Sequence, residues 1–204
     1  MTLSRPRGGS IIGVGTHAHA LKALLVGLKI HTTVDTVFLP DEGRSEPDWH
    51  PSPEGDTNWY LGIGDNLLRC KALAVLRSSG LTPSGFQHPS AVVSRGAVLG
   101  EGVFIGALAY IGPGVTLEDG VIVNTGAMVE HDSTIRNCSH VAPNATILGG
   151  TEVGSKAIIG AGATVLPGLR LADETTIAAG STVTQSITSR GIVVAGVPAK
   201  VIPS

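Results

Sequence analysis

The sequence predicts a parallel β-helix, a triangular spool of hexapeptide repeats, set behind a small α/β unit. Three observations predict it. First, from Val93 every sixth residue is aliphatic: Val93, Leu99, Ile105, Ile111, Leu117, Val123 and onward, without a break or a shift of phase, to Ile177 and Val183. Second, the residues two places before these are small or β-branched, as at Ala97, Val103, Ala109, Val115 and Ala127, and fill space beside an inward aliphatic without overpacking it. Third, aromatic residues are only 3% of the chain, which suits a thin prism with no room for rings. An α-helix cannot use this period, because six residues make about 1.7 turns and the apolar residue would wander around the axis. A hairpin sheet would show period two instead. Sixteen blocks at three per coil predict about five coils, about 25 Å tall. Gly100, Gly106, Gly112, Gly154 and Gly160, each following an aliphatic position, are expected at sharp corners with positive φ.

The front of the chain reads differently. Residues 10–14 predict a short buried strand, and 13–18 a turn. Residues 18–29 predict a helix with Leu21, Leu24, Leu25 and Leu28 on one side. Residues 34–39 predict a second strand and 40–58 an acidic surface loop rich in Pro and Gly. Residues 59–63 predict a third strand, ending at Gly64-Asp65-Asn66; residues 67–79 predict a second helix, closed by Gly80. This order suggests a small parallel, Rossmann-like α/β domain over 1–85, followed by the prism over 86–204. Residues 193–200 are expected to form an irregular tail lying back on the prism.

Composition narrows the functional classes. A net charge of −2 over 204 residues gives no electrostatic footprint for nucleic acid or an anionic membrane. No apolar run approaches a membrane span, and the N-terminus lacks a signal-peptide core, so a cytoplasmic protein is expected. Cys70 and Cys138 are far apart and match no metal spacing, so neither a disulfide nor a zinc site is expected.

Polar chemistry concentrates in one stretch of the prism, Asn124 to Asp132, followed by His140. His131 lies between Glu130 and Asp132. A neighbouring carboxylate can hold the proton of one ring nitrogen and leave the other to act as a base. His140 is nine residues further on, so it cannot stack over His131; the next coil places Gly149 there. The two imidazoles could meet across a cleft between subunits. At the front, Gly15 and Gly64 end strands, where backbone N–H groups can approach a phosphate and a helix adds its positive end.

These residues resemble those of the bacterial sugar O- and N-acyltransferases of the left-handed β-helix superfamily, over roughly residues 10–200. The chain is similar to the sialic acid O-acetyltransferases and to the N-acetyltransferases of nucleotide-linked 4-amino-sugars in bacillosamine and perosamine pathways. The resemblance, not the periodicity, implies the left hand; ordinary crossovers are right-handed. It implies that His131 is the general base, that Asp132 supports it, that Asn124 lies close to the sugar and that His140 contacts acetyl-CoA. It places the coenzyme against Gly149, Ala161 and Ala179, with the 196–200 tail and Lys200 near its adenosine end. The family carries Gly-x-Ser-Gly-His-Gly after the first strand; here Gly15 and Thr16 replace Ser and Gly, and His17 is kept. A family Asp pair at the nucleotide base appears as Pro40-Asp41, while Gly64-Asp65-Asn66 fits the second loop. These imply a nucleotide held by Gly15, Thr16, His17, Asp41, Gly64, Asp65 and Asn66.

The implied reaction is acetyl transfer from acetyl-CoA to the amine of a nucleotide-linked amino-sugar, in a homotrimer, for surface glycan biosynthesis such as lipopolysaccharide. Two rivals stand beside it: an O-acetyltransferase of the sialic acid type, and a non-catalytic hexapeptide scaffold. Prisms of this kind also occur in metal-dependent anhydrases, but those need three converging His ligands and this prism offers His131 and His140. No metal is expected.

Overall fold

A computed structural model describes residues 9–12, 21–22, 32–35 and 58–203. The expected nucleotide-loop residues Gly15, Thr16, His17 and Asp41 lie outside the described residues, as do most of the first expected helix and the acidic loop. The front unit contains β1 (Gly9–Ile12), β2 (Thr32–Asp35), β3 (Trp59–Leu61) and β4 (Pro83–Ser84), all parallel, in the order β2-β1-β3-β4. β4 was not anticipated. As an edge strand it tolerates Pro83, which has no N–H for a further ladder. Leu21 and Lys22 are helical. Helix α1 spans Asn66–Ser78, one residue earlier than the sequence suggests, because the Asp65 carboxylate accepts from Leu68 N at 2.8 Å and caps it. Gly80, at φ 73°, closes it as expected.

Beyond β4 the chain winds into a parallel β-solenoid of about six coils, its rungs paired eighteen residues on, as Thr116 with Thr134, until the last coil, where Thr176 pairs with Val193 and Leu171 with Ile187. The expectation of about five coils falls short because Phe86–Gln87 adds a rung below the repeat and Val193–Gly196 one above it. The inward aliphatics from Ile105 to Val183 are buried and form one continuous core. The first face carries, outward, Phe86, Phe104, Ile122, His140, Ile158, Thr176 and Val193; the second carries Val92, Tyr110, Met128 and Thr146; the third carries Val98, Thr116, Thr134 and Glu152. The prism interior excludes rings, but its first face does not: Phe86 and Phe104 stack at 5.2 Å and join Ile122, Ile11, Leu21 and Tyr60 in one apolar cluster. That cluster seats the front unit on the first face.

The corner geometry corrects one expectation. Gly100, Gly106, Gly112, Gly154 and Gly160 do not have positive φ; that conformation falls two residues later, at every sixth residue from Gly102 to Gly180, including Leu108, Asp132, Cys138, Asn144, Lys156 and Glu174. The first set is glycine for another reason. A Cβ on Gly106 would come 2.7 Å from Thr125 N on the next coil, so the coils touch there backbone to backbone.

Helix α1 runs along the third edge of the prism, between the third and first faces. Asn66 Nδ2 donates to the carbonyls of Lys156 and Ala157, each at 3.0 Å. One turn on, Arg69 and Cys70 reach Cys138; Leu73 lies against Gly120; Arg77 pairs with Asp119 and Glu101, each at 2.6 Å. The match has a simple cause. A helix rises about 5.4 Å per turn and the coils stack about 4.8 Å apart, so residues three or four apart on α1 meet successive coils. Here the sequence misleads about cysteine: Cys70 and Cys138, 68 residues apart, form a disulfide with Cα atoms 5.8 Å apart. Cys138 is therefore no candidate nucleophile.

The C-terminal segment is also more regular than expected. Val193–Gly196 extends the first face, then turns through a cis Val197–Pro198 bond into Ala199–Val201, which pairs antiparallel with it. No helix among the described residues is long and apolar enough to cross a membrane.

Candidate active site

His131 and Asp132 stand on the second edge, between the Met128–Val129 and Thr134–Ile135 rungs. The edge must turn sharply there, and Asp132 takes the left-handed conformation, φ 59°, which a short polar side chain tolerates better than most. The turn swings its carboxylate back onto the preceding ring: His131 Nδ1 donates to Asp132 Oδ2 at 2.9 Å. In the neutral ring, Nε2 is then the nitrogen that carries the lone pair. Both side chains are exposed, 60% and 75%, so the imidazole faces out of the prism rather than into it.

Three glycines surround the pair on neighbouring coils. A Cβ on Gly149 would lie 2.5 Å from His131 Nε2, one on Gly112 would lie 2.7 Å from His131 N, and one on Gly114 would lie 2.5 Å from Asp132 Oδ1. The expected stacking of Gly149 over His131 is thus observed, and it needs a residue with no side chain. Beneath, the Ser133 hydroxyl donates to the Leu148 carbonyl and accepts from Thr151 N, which ties the two coils together at this edge.

Asn124 and His140 form a second group, at the first edge and on the first face. Asn124 Nδ2 donates to His140 Nε2 at 3.1 Å, and its Oδ1 accepts from Thr125 N at 2.8 Å. This bond was not anticipated, though the spacing carries it: sixteen residues is two short of a coil, which brings the end of one rung beside the start of the next. Within one chain this pair and His131 occupy different edges, separated by the second face. The structure does not bring them together in a single copy.

Side chains take several of the edge N–H groups: on the third edge Asp119 accepts from Glu101 N, Asn137 from Asp119 N and Asp173 from Ser155 N, and on the first edge Ser90 accepts from Leu108 N and Asn124 from Thr125 N. The N–H groups of Gly149, on the second edge, and of Ala161 and Ala179, on the first, donate to no described residue. Ala161 and Ala179 stand exposed on the first edge, one coil apart. Open donors beside side chains this small can donate to the carbonyl oxygens of an extended ligand. Lys200 is exposed on the outer strand of the C-terminal hairpin.

The loop Gly64-Asp65-Asn66 is placed, but two of its side chains are already engaged. Asp65 caps α1, and Asn66 is 7% exposed, holding the prism carbonyls and accepting from Arg69. The Gly64 carbonyl is engaged as well, accepting from Arg69 at 3.0 Å. Sequence reasoning missed Arg69 altogether. Its guanidinium is wholly buried and donates to the carbonyls of Ile63, Gly64, Gly120 and Cys138 and to Asn66 Oδ1. Burial pulls its pKa down to about 10, against the opposing pull of Asp65. Among the described residues no three His, Cys, Asp or Glu side chains converge as a metal site.

Comparisons with known proteins agree with this architecture. Residues 81–193 match the family described as GMPPB C-terminal domain. PerB from Caulobacter crescentus, solved in complex with CoA and GDP-perosamine, is 31% identical, with a TM-score of 0.84 and a match covering 100% of both chains. The acetyltransferase domain of PglB from Neisseria gonorrhoeae FA1090, in complex with acetyl coenzyme A, is 30% identical, with a TM-score of 0.79 over 96% of this chain and 99% of that one. WeeI from Acinetobacter baumannii AYE, at 18% identity, a TM-score of 0.79 and coverage of 96% of this chain and 100% of its own, shares the fold. No curated protein sequence matches the chain.

Proposed function

The chain belongs to the hexapeptide-repeat sugar N-acetyltransferases and, over its solenoid, to the GMPPB C-terminal domain family, and from that premise we propose that it acetylates the amine of a nucleotide-linked amino-sugar with acetyl-CoA. One observation carries the reading: an outward imidazole on a prism edge, its Nδ1 proton held by Asp132 and its Nε2 open beside Gly149.

Acetyl-CoA supplies a thioester carbonyl already activated toward an amine. His131 Nε2 receives the amine proton as the nitrogen bonds to that carbonyl carbon, while Asp132 keeps the ring oriented and balances the imidazolium. The Gly149 N–H, which donates to no described residue, is the donor we assign to the developing oxyanion. The thiolate leaves with the carbon–sulfur bond electrons and takes a proton from His131, so acetamide and free thiol are the products. No covalent enzyme intermediate is used.

Because Asn124 and His140 stand on another edge from His131, we assign the complete site to a cleft between copies in a homotrimer. His131, Asp132 and Gly149 come from one prism, and Asn124, His140, Ala161 and Ala179 from its neighbour. Lys200 is assigned to the adenosine end, and the 1–85 unit to the nucleotide, through Gly15, Thr16, His17, Asp41 and the Gly64–Asn66 loop. The pathway we propose is cytoplasmic and builds a surface glycan.

The test is a thiol-release assay with amino- and hydroxy-sugar nucleotides. His131→Ala should lower kcat/KM on the amino-sugar by ~10²–10⁴ with the melting temperature and oligomeric mass unchanged. Near-normal turnover in that variant removes His131 from the reaction, and transfer to the hydroxy-sugar alone replaces the amine with a hydroxyl. Failure to bind acetyl-CoA by calorimetry leaves a scaffold.

A further inference from the structure

The Arg69 guanidinium touches both halves of the molecule at the points where the two substrates are assigned. Its Nη1 donates to the carbonyls of Ile63 and Gly64, each at 3.0 Å. Its Nη2 donates to the Cys138 carbonyl at 2.7 Å, with Ser139 beyond at 3.4 Å, and its Nε to Gly120 at 2.7 Å. The two residues after Cys138 lead directly to His140. His140 N donates in turn to the Ala157 carbonyl, which also accepts from Asn66; and Asn66 accepts from Arg69 at 2.6 Å. The backbone leading into His140, and the Ala157 carbonyl that its N–H meets, are therefore both held from α1.

We propose that Arg69 is a positioning residue. It holds the Ile63–Gly64 loop and the Cys138–His140 rung in one register, so that the nucleotide loop and the His140–Asn124 pair are placed by a single group. The physical argument is that a rigid, forked, buried cation, hydrogen-bonded among the described residues to carbonyl and amide oxygens and to no carboxylate, is satisfied by those oxygens, and five donors fix the angles among all the segments that supply them. A structural role alone could be met with fewer bonds: the disulfide, Asn66 and Arg77 already fasten α1 to the same edge. What Arg69 adds is the connection to the Ile63–Gly64 carbonyls. The site roles rest on the function proposed above.

The test compares Arg69→Met with Arg77→Met, which loosens the same helix at Asp119 and Glu101, one and two coils before the edge that leads into His140. The first readout is the Cε1–H resonance of His140, assigned by its disappearance in His140→Gln. It should move in Arg69→Met and stay in Arg77→Met, whether or not the protein turns over. The second is kinetic: in Arg69→Met the KM values for sugar nucleotide and acetyl-CoA should both rise about tenfold, while Arg77→Met changes neither. Arg69→Lys, which restores a cation with fewer donors, should fall between, and it carries the test if Arg69→Met does not fold. An unchanged His140 resonance, or equal effects in the Arg69 and Arg77 variants, overturns the proposal. If the wild type turns over no amino-sugar, the function fails while the resonance still decides whether Arg69 positions His140.

Discussion

His131 lies directly over Gly149, eighteen residues ahead on the next coil, so close that a methyl group on Gly149 would sit 2.5 Å from Nε2. Gly149→Ala is therefore predicted to push the imidazole off its position without disturbing the prism. A displacement of about 1 Å at the base can cost about 10²-fold in rate. The check is kcat beside a thermal melt: kcat should fall by about that factor while the melting temperature shifts little.

Asp132 offers a cleaner dissection than most catalytic carboxylates. Its backbone is left-handed, and Asn accepts that conformation about as well as Asp does. Asp132→Asn should keep the turn and remove the charge that balances the imidazolium, lowering kcat by ~10² with KM for acetyl-CoA unchanged. Steady-state kinetics at saturating coenzyme measure it. Equal loss in kcat and in unfolding midpoint would instead assign Asp132 to the turn.

Acid stability should depend on Glu174. Arg190 and then Lys156 hold its carboxyl down at about 2, from an ordinary value of 4.5. A carboxylate held low stabilises the fold above its unfolded value, and that contribution fades as pH falls from about 4.5 to about 2. In Glu174→Gln the urea midpoint should lose part of its pH dependence inside that window. At pH 7 the variant should be the less stable of the two proteins.

The Cys70–Cys138 bond closes a long loop and so restrains the unfolded chain. Chain-entropy arguments put the effect of such a loop at about 4 kcal/mol. Cys70→Ser should lower the melting temperature, and reductant should bring the wild type down to the same value. A wild type insensitive to reductant would mean that α1 is held by its hydrogen bonds and ion pairs alone.

The prism was legible because each inward residue meets the same surroundings on every coil, so one environment is written repeatedly from Val93 to Val183. His131 and Asp132 were legible because they are adjacent in sequence and break a run of bland corners. The joints were not. Arg69 is buried by a surface that begins at Gly120 and Cys138, and nothing in its own helix marks it apart from any exposed arginine. The cysteine pair has the same character, since its members meet only once α1 has docked. The left-handed corners carry a signal of their own: Gly102, Gly114, Gly120, Gly126, Gly150, Gly162, Gly168 and Gly180 recur in phase, more often than the glycines that directly follow the aliphatic positions. Where Asp132 and Asn144 replace them, the residue type still favours positive φ.

The near-equality of helix pitch and coil spacing along the third edge sets a rule for how such molecules can grow. Duplicating an eighteen-residue coil within the stretch that α1 spans would leave the helix a turn short, and the fastenings from Asn66 to Arg77 would fall out of step. Related chains that gain a coil beneath α1 must also gain three or four helical residues. Chains that gain one above Lys156 need no such compensation, so the upper end of the spool is the part free to lengthen.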